Sequence, residues 1–225
     1  IIDRDIDAKN PRTAGREIPS GKLSVGFAWV FLYISIGLFL LASYSLNWLT
    51  FALSPVALIV VLGYSYAKRF TVFAHLLLGL ALAISPSAAW IAVRGTLNDE
   101  LPILLSLLVL MWTAGFDVMY ACQDFEYDRR SGLHSIPARF GIANSLWIAR
   151  LFHLQAFIVL MIVYLVSGLG WLALAGVIAV GVLLLYQHTL VRSNDLSRMN
   201  AAFTTNAFVS VILLLTFGGA VFMAR

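Results

Sequence analysis

Between Lys22 and Lys68 the chain has no Asp, Glu, Lys or Arg, and the same is true between Arg150 and Arg192. A membrane-spanning helix takes about 20 mostly apolar residues, so each run is too long for one span. Polar breaks divide them, at Ser43–Asn47 in the first and Ser167–Gly170 in the second. With the apolar stretches Phe70–Val93, Leu101–Gln123 and Ala201–Ala224, the sequence predicts seven spans. The first two are placed at 23–42 and 48–66, and the fifth and sixth between Arg150 and Arg192. Backbone polar groups in hydrocarbon must be satisfied within the segment, which makes these runs helices rather than open strands. Composition agrees. Apolar residues make up 61% and charged residues 12%, against about 45–50% and about 25% in soluble domains. The expected fold is therefore all-α, a single polytopic helix bundle over residues 1–225 with the lipid bilayer as its solvent.

Loop charges set the orientation. Arg4, Lys9, Arg12, Arg16, Lys22, Lys68, Arg69, Arg129, Arg130, Arg139, Arg192 and Arg198 all fall on one side of the predicted topology. The net charge of +4 is thus read as topology rather than nucleic-acid binding. By the positive-inside rule that side is cytoplasmic. The expected location is a bacterial inner membrane with the chemistry at the cytoplasmic rim. One cysteine, Cys122, excludes an intrachain disulfide framework.

Two acidic clusters stand at that rim. Asp3 and Asp7 are four residues apart, followed by Lys9, Arg12, Arg16 and Pro19-Ser20-Gly21. Asp124 and Asp128 repeat the spacing, followed by Arg129, Arg130, Gly132 and Ser135-Ile136-Pro137. Residues four apart share one face of a helix, so each pair presents two carboxylates in one direction. Facing each other, the pairs form an all-oxygen donor set suited to magnesium, which substrate phosphates commonly complete. Asp117 lies seven residues before Asp124 inside a span. An ionisable group at that depth is costly and marks function by default. A third element, Tyr64-Ser-Tyr66-Ala-Lys68-Arg69, sits at the same rim.

These motifs resemble the UbiA-type intramembrane prenyltransferases. Asp3 and Asp7 with Arg12-Thr13, Arg16 and Pro19-Ser20-Gly21 look like the latter part of the family's first aspartate-rich motif. Asp117, Tyr120-Ala121, Asp124, Asp128, Gly132 and Ser135 look like the second. Tyr64, Lys68 and Arg69 match a loop element of the same enzymes, and Asn206 stands where their last span carries an asparagine. The resemblance implies magnesium-dependent transfer of a polyprenyl group from an allylic diphosphate to an aromatic acceptor. In that scheme Asp3, Asp7, Asp124 and Asp128 hold the metal. Arg16, Tyr64, Lys68, Arg69, Tyr120 and Arg139 bind substrate, and Asp117, Asp124 and Asp128 carry the chemistry. The Arg12–Gly21 loop looks closest to the 4-hydroxybenzoate branch, in ubiquinone synthesis. Dihydroxynaphthoate, haem, chlorophyllide and lipid-glycerol acceptors are the alternatives within the family. Such enzymes usually have nine spans, and the chain starts at Ile1 rather than Met. Two further spans, and the opening residues of the first motif, are therefore expected upstream.

Other residues read as architecture. His75, His153 and His188 show no metal-ligand spacing and are assigned to packing or the interface, His134 lies in the second motif's loop, and Gly79 and Pro86 mark a close approach or kink. A transporter or channel with an aspartate-lined path is the rival class. It predicts charges at mid-membrane depth on several helices, and only Asp117 qualifies.

Overall fold

The structure is a computed structural model and describes residues 1–224. Ten α-helices follow one another: α1 (Arg4–Lys9), α2 (Val25–Leu46), α3 (Trp48–Gly63), α4 (Ala74–Arg94), α5 (Glu100–Ala121), α6 (Phe125–Arg130), α7 (Ile136–Ser167), α8 (Trp171–Thr189), α9 (Met199–Thr204) and α10 (Asn206–Met223). Short 3-10 turns at Tyr64–Arg69 and Cys122–Asp124 extend α3 and α5. Seven of these segments are long and apolar enough to cross a membrane among the described residues. The bundle is all-α and polytopic, as the sequence predicts.

The borders differ from expectation for identifiable reasons. The first break falls at Asn47 alone rather than across Ser43–Asn47. Ser43 and Ser45 donate their hydroxyls back to Phe39 O and Ala42 O, both at 2.8 Å, so the helix absorbs its own polar groups. Asn47 adopts an extended backbone and accepts the Thr50 N–H at 2.9 Å, capping α3. Its amide also donates to Ile91 O (2.9 Å) and Ala92 O (3.2 Å), tying this turn to the end of α4. The fifth span begins well before Arg150. Gly141, with φ 79°, separates a short initial piece of α7 from the long one, and such backbone favours glycine. Arg150 is carried inside the helix because its guanidinium lies over the Trp147 ring, 4.6 Å from the centroid.

Central α5 packs on α4 and α7. Gly79 permits the first contact, since a Cβ there would stand 2.7 Å from Leu110 O. Val118, Met119, Leu146, Ala149 and Met199 form the core at the loop-rich end. Leu108, Leu160, Val177 and Val209 form it within the membrane. Outward-facing Phe31 and Leu214 are 64% and 72% exposed, as expected where lipid is the solvent. Helix direction places residues 1–24, 64–73, 122–135 and 190–205 at one end of the bundle and 95–99 with 168–170 at the other.

Candidate active site

At the loop-rich end the two acidic clusters meet in one cavity of about 250 Å³. Asp3, Asp7, Asp117, Asp124 and Asp128 all line it, and so do Arg12, Arg16, Lys68 and Arg69. The four-residue spacing sorts these side chains as the helical face argument requires. The intervening Asp5 and Glu126 are 78% and 70% exposed and pair locally with Arg4 and Arg130.

Each rim carboxylate faces a cation from another segment. Arg69 Nη2 donates to Asp3 Oδ1 at 3.2 Å and to Ile2 O at 2.8 Å. Arg16 Nη1 donates to Asp7 Oδ2 at 3.0 Å. Arg12 grips Asp124 as a fork, Nε to Oδ1 at 2.7 Å and Nη2 to Oδ2, the bidentate geometry that favours arginine over lysine. Asn10 adds a donor to Asp124 Oδ1 at 2.9 Å. The Asp124 carboxylate holds the Arg12 guanidinium above its usual range, chiefly through these hydrogen bonds. Tyr127 donates to Ile6 O at 2.7 Å and so fastens α1 onto α6.

Asp128 is 2% exposed. Its Oδ2 has no hydrogen-bond partner, and Lys68 Nζ stands 3.8 Å away. The Lys68 carbonyl accepts the His134 N–H at 2.7 Å, which holds the loop after α6 beside the Tyr64–Arg69 turn. A buried oxygen atom left bare among carboxylates is a position a hard cation fits. Among the described residues no three His, Cys, Asp or Glu side chains lie close enough to hold one ion by themselves.

Of the other predicted residues, Tyr64 lines the cavity. Tyr120 stands outside it as a platform. Arg12 Cζ lies 5.2 Å from its ring centroid, and Arg12 Nη1 donates to its hydroxyl at 3.4 Å. Arg139 is exposed on the first piece of α7 and does not line the cavity. Asn206 lies in the bundle interior, accepting from Trp112 Nε1 (3.2 Å) and Gln187 Nε2 (3.0 Å). Sequence reasoning missed Asn10 and Arg12 as partners of Asp124, and it left His75 to packing. His75 is fully buried, with Nδ1 2.6 Å from Asp117 Oδ2. The available signal was two intramembrane polar residues at similar depth on adjacent spans, each needing a partner.

Farther along α4 and α5, toward the opposite face, lies a second cavity of about 490 Å³, walled by residues such as Phe39, Leu53, Ile84, Leu107 and Leu110. Its hydroxyl groups are already engaged. Ser43 and Ser54 donate to Phe39 O and Phe51 O, Thr50 donates to Asn47, and Ser87 pairs with Ser106 at 2.7 Å. The chamber therefore offers an oily surface despite five hydroxyl-bearing residues.

Residues 1–217 match the profile of the UbiA prenyltransferase family. The chain belongs to this family. Over 221 residues (96% of the chain, 55% of the relative) it is 33% identical to 4-hydroxybenzoate polyprenyltransferase, mitochondrial, of Drosophila melanogaster. Over 216 residues (95% and 73%) it is 30% identical to 4-hydroxybenzoate octaprenyltransferase of Enterobacter sp. (strain 638). Among solved structures, the apo structure of a UbiA homolog from Aeropyrum pernix K1 superposes with a TM-score of 0.89 at 29% identity, covering 99% of this chain and 81% of that one. The chain spans about half the length, or less, of the fruit-fly relatives it matches. As a UbiA member with seven membrane-length apolar helices, it is an integral membrane protein.

Proposed function

We propose that this protein transfers a polyprenyl group from an allylic diphosphate to an aromatic acid, 4-hydroxybenzoate, in ubiquinone synthesis. The observation that carries this reading is the pair of chambers strung along α4 and α5, one densely charged at the membrane rim and one apolar behind it. A substrate with a diphosphate head and a long hydrocarbon tail matches both. The names of the relatives support the acceptor.

Charge balance supports a divalent metal, most simply Mg2+. Five carboxylates and four cationic groups line the cavity, so its formal charge is close to −1. A diphosphate monoester brings roughly two to three further negative charges, and such a load in a confined site calls for additional cations. Asp3, Asp7, Asp124 and Asp128 would hold them, with Asp128 Oδ2 offering its unused lone pairs. When bound, the metal neutralises the leaving diphosphate and lowers the barrier to C–O cleavage.

The chain's own residues supply the rest. Lys68, Arg16 and Arg69 line the cavity and bind the diphosphate head, and Tyr64 packs beside it. The oily chamber holds the tail and keeps water from the allylic cation. Asp117, whose Oδ2 is engaged by His75, turns Oδ1 to the substrates and takes up the proton lost from the acceptor ring. By the positive-inside rule the site faces the cytoplasm in bacteria, or the matrix if the protein resides in mitochondria.

The test is mass spectrometry of products from membranes containing the full-length protein, given Mg2+, a polyprenyl diphosphate and a panel of aromatic acids. Prenylated 4-hydroxybenzoate, lost on chelation and in Asp124→Ala or Asp128→Ala, is expected. Product with another acid alone would reassign the acceptor, and no prenylated product from any acid would overturn the reading.

A further inference from the structure

We infer that His75 is a positioning residue for Asp117, holding that carboxylate in the one rotamer that serves the acceptor ring. The inference rests on the prenyl-transfer reading above and extends it to a residue outside the acidic motifs.

The imidazole is gripped at both nitrogens. Its Nε2 accepts the Ile136 N–H at 3.3 Å, so the ring proton resides on Nδ1 and is donated to Asp117 Oδ2 at 2.6 Å. The sequence around Ile136 explains why that amide is available. Ile136 is the first residue of α7, where N–H groups lack partners inside the helix. Ser135 caps the helix through the Ala138 N–H at 3.2 Å, and Pro137 has no N–H. The Ile136 amide is left to find an acceptor elsewhere, and His75 provides it. The ring is therefore a strut from the backbone of α7, through α4, to a carboxylate on α5, with no exposed surface of its own.

Asp117 differs from the other four carboxylates of the cavity. Asp3, Asp7, Asp124 and Asp128 face Arg69, Arg16, Arg12 and Lys68. Asp117 alone is partnered by an imidazole N–H and no arginine or lysine, and its side chain stays 24% exposed toward the cavity. A pair serving only to bury a polar group would have no reason to open one member to substrate. The arrangement leaves Asp117 fixed in direction yet uncommitted to a cation. In the step it serves, the allylic C–O electron pair departs with the diphosphate, and the ring π electrons then form the carbon–prenyl bond to the allylic cation. The ring C–H electrons then restore aromaticity as the proton passes to Asp117 Oδ1.

The experiment compares the full-length protein in membranes with His75→Leu and His75→Gln. Glutamine restores an N–H donor and an acceptor oxygen, whereas leucine keeps bulk alone. For the leucine variant kcat should fall about 100-fold, the scale on which misplacing a reacting group by an ångström acts. The KM for the polyprenyl diphosphate should stay unchanged, and the kinetic isotope effect with ring-deuterated 4-hydroxybenzoate should rise above the wild-type value. The glutamine variant should return most of the lost kcat. If the leucine variant does not accumulate, His75→Ala replaces it in the same comparison, and added imidazole should raise its kcat. A leucine or alanine variant with wild-type kcat would overturn the inference. So would a rise in KM without loss of kcat, or a glutamine variant no better than leucine. An unmodified protein that forms no product would remove the prenyl-transfer reading and this inference with it. An active wild type with an equally active leucine variant would remove this inference alone.

Discussion

Arg12→Ala isolates the contact that joins the two acidic clusters. The substitution leaves Asp124, whose side chain is 7% exposed, with a single remaining donor from Asn10. Removing one partner of a fully buried ion pair costs about 3–5 kcal/mol, because the other charge stays behind unpaired. The Arg12 side chain is 28% exposed, so water already shares in solvating this pair, and the expected loss shrinks to about 2–3 kcal/mol. For a chain of this size that corresponds to a fall of about 4–12 °C in the unfolding midpoint, read by thermal denaturation in detergent. Asp124→Asn should cost less, since Arg12 can turn to solvent. The double variant should be no worse than Arg12→Ala, giving a coupling energy of about 2 kcal/mol. Mg2+ with a prenyl diphosphate should narrow the gap between wild type and Arg12→Ala by giving Asp124 another counter-charge. Single-variant losses that simply add, or an Arg12→Ala midpoint equal to wild type, would refute the claim that this fork holds the N-terminal segment to the Cys122–Asp124 turn.

Three further outcomes are expected. Lys68→Ala, which removes the cation 3.8 Å from Asp128, should raise the KM for the diphosphate about tenfold in steady-state assays, a loss of about 1.4 kcal/mol of binding; an unchanged KM would return Lys68 to a membrane anchor. Tyr127→Phe deletes the bond to Ile6 O and should lower stability by about 1 kcal/mol, with protease cleavage appearing within residues 1–20 before elsewhere. Gly115→Ala would drive a Cβ into the His153 ring, which is buried and bonded to His188 at 2.9 Å. Overpacking of this kind costs about 1–3 kcal/mol, and the measured midpoint should drop accordingly.

Hydropathy and charge spacing alone determined the number of spans, their helical nature, the sidedness of the loops and the two carboxylate pairs that share a face. These are local properties, because a bilayer imposes length and backbone satisfaction on each segment independently. Helix borders were less legible. Hydroxyls that donate to their own helix, as at Ser43, and an arginine covered by an aromatic ring, as at Arg150, look like breaks in a linear reading. Only the tertiary structure decided which cation meets which carboxylate. Arg12 and Asp124 are 112 positions apart, and nothing local selects Asp124 for Arg12 over the nearer Asp7. The same holds for His75. Its neighbours in sequence are apolar, and its meaning comes from the first amide of α7 and a carboxylate on α5, groups that packing alone brings to the two edges of one ring.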